Sequence, residues 1–116
     1  MKITHFSDIP VKQFEGETVR GVRGRLLIGK DDGAPNFVMR MFEVEPGGYS
    51  PRHSHDWEHE IFFHQGEGTV FFEGETHPVR AGCAVFVPPN REHQIRNTGE
   101  ETLRFLCLIP AGPPEL

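Results

Sequence analysis

Residues 46–68 read PGGYSPRHSHDWEHEIFFHQGEG, and how this stretch is understood governs the rest of the chain. His53, His55 and His59 fall within seven residues, beside Glu58, Glu60 and Trp57, between two Gly-rich turns. In an extended strand residues i and i+2 share a face, so His53 and His55 can aim at one point, and His59 can join them across a short loop. His93, later in the chain, supplies a further partner. Imidazole is the commonest protein ligand for a transition metal, and converging histidines point to a metal site where a lone one would be structural.

Outward from this stretch the chain reads as short strands broken by glycine and proline. On the N-terminal side, extended pieces are expected at Ile3 to Phe6 and Val11 to Phe14, followed by a strand over Thr18 to Ile28 whose two glycines suggest a bulge or a close backbone approach. Phe37 to Glu45 (FVMRMFEVE) alternates, with Val38, Arg40, Phe42 and Val44 on one face and Phe37, Met39, Met41 and Glu43 on the other; either face can be the inner one. Pro46, Gly47 and Gly48 are expected to close it. On the C-terminal side a strand runs to His64, a hairpin turns at Gly74, and Gly82 to Pro88, His93 to Asn97 and Thr102 to Pro110 supply the last strands. Residues 111–116 form a Pro-rich tail expected to lie over the surface. The pattern is all-β, a sandwich or barrel; an immunoglobulin-like sandwich is disfavoured because paired core cysteines and a core tryptophan are missing.

The 116 residues, 36% of them hydrophobic, suit one compact domain over 1–116. A formal charge of −5, with twelve dispersed Lys and Arg, argues against a nucleic-acid partner. No apolar run in the first twenty residues resembles a signal peptide or a membrane span, and the two cysteines, Cys83 and Cys107, are too few for a disulfide scaffold. The expected setting is the reducing cytosol, away from membranes.

Two halves of a known signature can then be read off. Gly47, His53, His55 and Gly66 match the first motif of the cupin superfamily in residue type and spacing, and position 59 matches it in spacing. Gly82, Pro88, His93 and Asn97 match the second, with Asn90 in place of its middle glycine, a substitution that a left-handed backbone tolerates. The chain thus resembles a small single-domain cupin, which implies a double-stranded jelly-roll β-barrel with one metal site. Counted forward from His55 and backward from Gly66, the fourth ligand position of the motif lands on His59, where most cupins have glutamate; Glu60 is the alternative. A set of His53, His55, His59 and His93 resembles manganese-binding cupins and implies one divalent ion, manganese by likeness, with iron, nickel, copper and zinc as alternatives.

Strand parity extends this site. An inward His59 brings Ile61 and Phe63 with it, His93 brings Ile95 and Asn97, and the last strand contributes Leu103, Phe105, Cys107 and Ile109. Ile61, Phe63, Ile95, Phe105 and Ile109 are therefore expected to line a substrate pocket, with Arg40 and Cys107 as catalytic candidates: Arg40 to hold a carboxylate unless it faces outward, Cys107 as a thiol near the metal unless it only fills the core. Glu58, Glu60 or Glu92 could fix an imidazole tautomer from behind. Leu106 and Leu108 on the outer face suggest a homodimer. Three functions fit a small-molecule partner: an oxygen-dependent dioxygenase, which is the first reading, a metal-dependent isomerase or decarboxylase, and a binding protein without turnover.

Overall fold

The computed structural model describes residues 1–116. Nine strands form: β1 (Lys12–Phe14), β2 (Arg20–Ile28), β3 (Phe37–Tyr49), β4 (His59–Gln65), β5 (Glu67–Phe72), β6 (Glu75–Arg80), β7 (Ala84–Val87), β8 (His93–Asn97) and β9 (Leu103–Pro110). Their hydrogen-bonded order is β6-β5-β8-β3-β9-β4-β7, with β2 added to β3 and β1 to β2, and every pair is antiparallel. Neighbours drawn from distant parts of the chain, curled over one apolar interior, make a double-stranded jelly-roll β-barrel. No helix is long and apolar enough to cross a membrane.

The long strand β3 joins the two sheets. Its first part pairs with β2 on one side and β9 on the other, and its last residue, Tyr49, pairs with Arg96 of β8. The expectation that Pro46, Gly47 and Gly48 close this strand is not met. They form a bulge instead: the ladder jumps from Val22↔Val44 to Arg20↔Tyr49, and Gly47 takes a φ of 79°, which glycine adopts at no steric penalty. Ile3 to Phe6 is also not a strand. A single 3-10 turn at Phe6–Asp8 follows it, capped by the His5 ring, whose Nδ1 accepts the Ser7 N–H at 3.2 Å. The β5–β6 hairpin turns at Glu73 and Gly74, both with positive φ, as a two-residue turn matching the strand twist requires.

Alternation decides the interior. In β4, His59, Ile61 and Phe63 are buried while Glu60, Phe62 and His64 are exposed; in β9, Leu103, Phe105, Cys107 and Ile109 are buried. On β3 the question left open by sequence has a double answer. Val38, Arg40 and Val44 are buried, and so are Met41 and Glu43 on the opposite face. Glu43 is 2% exposed because arginines from both flanking strands cover it. Arg104 Nε donates to its carboxylate at 2.7 Å, Arg25 donates to the other oxygen, and Arg23 lies at 3.7 Å. The registers Arg23↔Glu43 and Glu43↔Arg104 bring these charges side by side.

The tail folds back over the barrel. The Glu115 carboxylate accepts the Lys30 N–H at 2.8 Å, and Leu116 reaches the barrel mouth beside Gly24, where a Cβ would stand only 3.0 Å from its side chain.

Candidate metal centre

His53 and His55 do not sit on a regular strand. They lie in the loop from β3 to β4, anchored by one isolated bridge in which His53 N–H donates to His93 O at 3.1 Å and His93 N–H returns to His53 O at 2.9 Å. That bridge, and not i, i+2 parity alone, brings the loop against β8. His93 opens β8 and His59 opens β4, both buried and facing inward. Ring centroids of neighbouring imidazoles are 4.5–5.2 Å apart. His53, His55 and His93 each offer a nitrogen within 4.8 Å of the others. His59 closes on His55, Nε2 to Nε2, at 2.7 Å.

The backs of these rings are held by groups that sequence does not display. His55 Nδ1 donates to the Trp57 carbonyl at 2.8 Å, and the ring stacks on the Trp57 indole at 4.2 Å. His93 Nδ1 donates to the Arg91 carbonyl at 2.8 Å. A carbonyl oxygen only accepts, so both rings carry their proton at Nδ1 and present a bare Nε2. The carboxylates expected in this role, Glu58, Glu60 and Glu92, are all exposed and bond to no imidazole. Each is a sequence neighbour of a histidine that points inward, so each is turned the other way.

Burial disfavours the charged form of three of these rings. Desolvation, reinforced by His93 and His55, lowers His53 to about 4, although it is the most exposed of the four residues. His59 falls to about 2, through burial first and the Arg40 charge second. His55 is lowered by burial too, against a partial upward pull from the Trp57 carbonyl. Neutral imidazole is the ligating form, so this donor set fits a divalent transition ion.

Arg40 faces inward at 8% exposure. Its Nη2 donates to Cys107 Sγ at 3.0 Å and lies 3.3 Å from His59 Nδ1, and the guanidinium rests 4.9 Å from the Phe42 ring centroid. The pairings Arg40↔Cys107 and Ile61↔Cys107 place the thiol between β3 and β4. Burial raises the Cys107 pKa, partly offset by Arg40. Cys83 lies apart, half-buried at the foot of β7.

These groups sit in a cavity of about 440 Å³. Ile61, Ile95 and Phe105 line it as expected, together with Arg40, Cys107 and all four histidines. Phe63 and Ile109 do not: at 0% and 1% exposure they are packed into the core, because inward parity selects a face and not a depth. Phe14, Val19, Trp57, Pro114 and Leu116 also contribute to the wall and were not picked out from sequence. For Pro114 and Leu116 no local signal existed, since only the folded-back tail brings them there. A second groove, about 420 Å³, lies on the outer face among Met39, Glu60, Phe62, Phe86, Leu106 and Leu108.

Residues 40–109 match the family described as Cupin domain. The chain superposes over 98% of its length on 82% of the polyketide cyclase RemF from Streptomyces resistomycificus, with a TM-score of 0.90 and 35% identity. Polyketide synthase CurC from Streptomyces cyaneus is 32% identical over 90% of this chain and 70% of that protein. The oxalate-binding protein of Thermotoga maritima is 35% identical over 78% of this chain and 80% of that one.

Proposed function

The chain belongs to the cupin domain family, and from that premise we propose that it is a metal-dependent enzyme closing rings in a small, oxygen-rich and largely apolar substrate, as a polyketide cyclase does. One observation carries this reading: four imidazoles converge in an apolar cavity in which Arg40 is the one fixed cation. His53, His55, His59 and His93 would hold a single divalent ion. When bound, such an ion supplies Lewis acidity to a carbonyl oxygen. Arg40 meets the negative charge that gathers on a substrate oxygen, and the walls of Phe42, Phe105 and Ile95 exclude water and take the flat faces of a conjugated chain. The cavity lining contains no Asp or Glu side chain. That suits β-dicarbonyl carbons, which are acidic enough to react without a strong base.

Glu60 is not favoured as a ligand, since it is exposed and lines the outer groove. The preference for manganese comes from resemblance alone; an all-imidazole set suits zinc, copper, nickel or iron at least as well. Oxygen-dependent turnover, the first reading from sequence, would use the same ligands. It is disfavoured by Cys107, a free thiol 3.0 Å from His59, where an oxidising centre would threaten it. A homodimer is supported by the outer groove, flanked by Phe62 and Phe86 at 45% and 56% exposure.

The test offers metal-loaded protein a panel of aryl-substituted oligoketones, following products by mass spectrometry and dissolved oxygen by electrode. Loss of water on ring closure, without oxygen uptake and abolished by a chelator, is the expected result. Oxygen consumed in step with turnover would restore the dioxygenase reading, and tight binding without product would make this a binding protein.

A further inference from the structure

The hydrogen-bond directions around His59 carry a consequence for the thiol behind it. The Trp57 carbonyl fixes the His55 proton at Nδ1, so His55 Nε2 is an acceptor. Its neighbour at 2.7 Å, His59 Nε2, must then be the donor, and His59 Nδ1 is left bare in the metal-free arrangement. Two groups reach that bare nitrogen: Arg40 Nη2 at 3.3 Å and Cys107 Sγ at 3.0 Å. Both can donate to it.

Ligation reverses the requirement. If His59 gives its Nε2 lone pair to a metal ion, the neutral ring must carry its proton at Nδ1, and that N–H needs an acceptor. A guanidinium has none to offer, whereas a thiol can give or take a hydrogen bond. We propose that Cys107 is a positioning residue for His59: its sulfur, held in place by Arg40, lets the ring exchange the Nε2–H tautomer it holds against His55 for the Nδ1–H tautomer that frees Nε2 for the metal. The exchange is neutral for His59 and for Cys107: the Nε2 proton leaves to water in the cavity, one proton is taken up from water at Nδ1, and the thiol keeps its own while its sulfur accepts the new N–H. The inference rests on the reading of His59 as a ligand.

Cys107 is 2% exposed and enclosed by core side chains, so the substitutions must respect volume. Cys107→Val removes donor and acceptor at similar size, Cys107→Ser retains both, and Cys107→Ala serves if Val overpacks the site. Ring nitrogen-15 NMR of the whole protein, metal-free and loaded with Zn²⁺, reads the His59 tautomer directly, and chelator competition reads Zn²⁺ affinity. Wild type is expected to move its His59 proton from Nε2 to Nδ1 on loading. Val or Ala should lower Zn²⁺ affinity by about 10- to 100-fold, with Ser restoring most of it. A wild-type ring that keeps its proton on Nε2 when loaded would overturn the proposal. So would a Val or Ala variant that binds Zn²⁺ as tightly as wild type while His59→Ala binds it weakly. Undiminished binding by His59→Ala would instead remove the ligand reading, and this inference with it.

Discussion

Arg40 and His59 meet at 3.3 Å inside the barrel, a permanent cation set against an imidazole that must stay neutral to bind a metal. The arginine helps burial to hold His59 down at about 2, while burial and the neighbouring rings hold His53 at about 4. Protons therefore compete poorly for both nitrogens. Ordinary imidazoles, near 6.5, would surrender an ion below about pH 6. This site is expected to retain its metal at about pH 5.5, measured as metal per chain after equilibrium dialysis; release complete by that pH would show the rings to be far better solvated than their packing implies.

For the metal-free fold the same depression works against stability in acid. As pH falls through about 6.5 the unfolded chain takes up protons on these histidines, while the folded chain does not. Stability should be full above about pH 6.5 and decline below it, with the His53 share of the decline ending near 4 and the His59 share continuing to about 2. A thermal midpoint lower by about 4 °C or more at pH 5 than at pH 7.5 is expected from calorimetry of chelator-treated protein.

Glu43 answers three arginines on the face of β3 turned away from the cavity. Desolvation pushes its carboxyl up, but hydrogen bonds from Arg25 and Arg104 outweigh that and leave it below its ordinary value. Glu43→Gln should destabilise the fold by about 2–3 kcal/mol in urea titration, somewhat less than a fully buried pair because the guanidinium groups reach water. Metal content should not change.

Arg40→Met is expected to lower kcat/KM in the ring-closure assay by about 100-fold or more, the scale on which removal of a charge-stabilising donor acts. Zn²⁺ affinity should fall less than in Cys107→Val, since Arg40 has no lone pair to give a metal ion and bears on the ligating His59 through the sulfur it holds. A variant with undiminished kcat/KM would remove Arg40 from the chemistry.

Phe62→Glu, or Phe86→Glu, places a charge at the apolar outer groove. The unaltered chain is expected to run as a homodimer in light scattering and either variant as a monomer, with metal content unchanged. A monomer in both would dissociate the groove from self-association.

Much of this was legible from one stretch and its echo. The glycine and histidine spacing over residues 47–66 and 82–97 pointed to the barrel and to the four histidines that line one cavity, because that spacing is set by strands and turns whose signals are local. Parity along β4 and β9 gave the right inward residues. What parity could not give was depth, which is why Phe63 and Ile109 belong to the core and not the cavity wall. Backbone carbonyls leave no mark in a sequence, so the anchors behind His55 and His93 were sought among glutamates. The continuation of β3 past Pro46 was hidden for a related reason: a bulge and a chain reversal are written with the same residues.

The single strand shared by both sheets also orders events during synthesis. By residue 59 a growing chain already carries three of the four imidazoles, yet β3 still lacks β9 along its flank and β8 at its tip, and the last imidazole arrives only with β8. Pairings that span so much of the chain form late. A ribosome-bound fragment can offer three loose histidines to a passing ion but cannot enclose it, so a four-histidine site of the kind proposed would be a property of the finished, closed barrel.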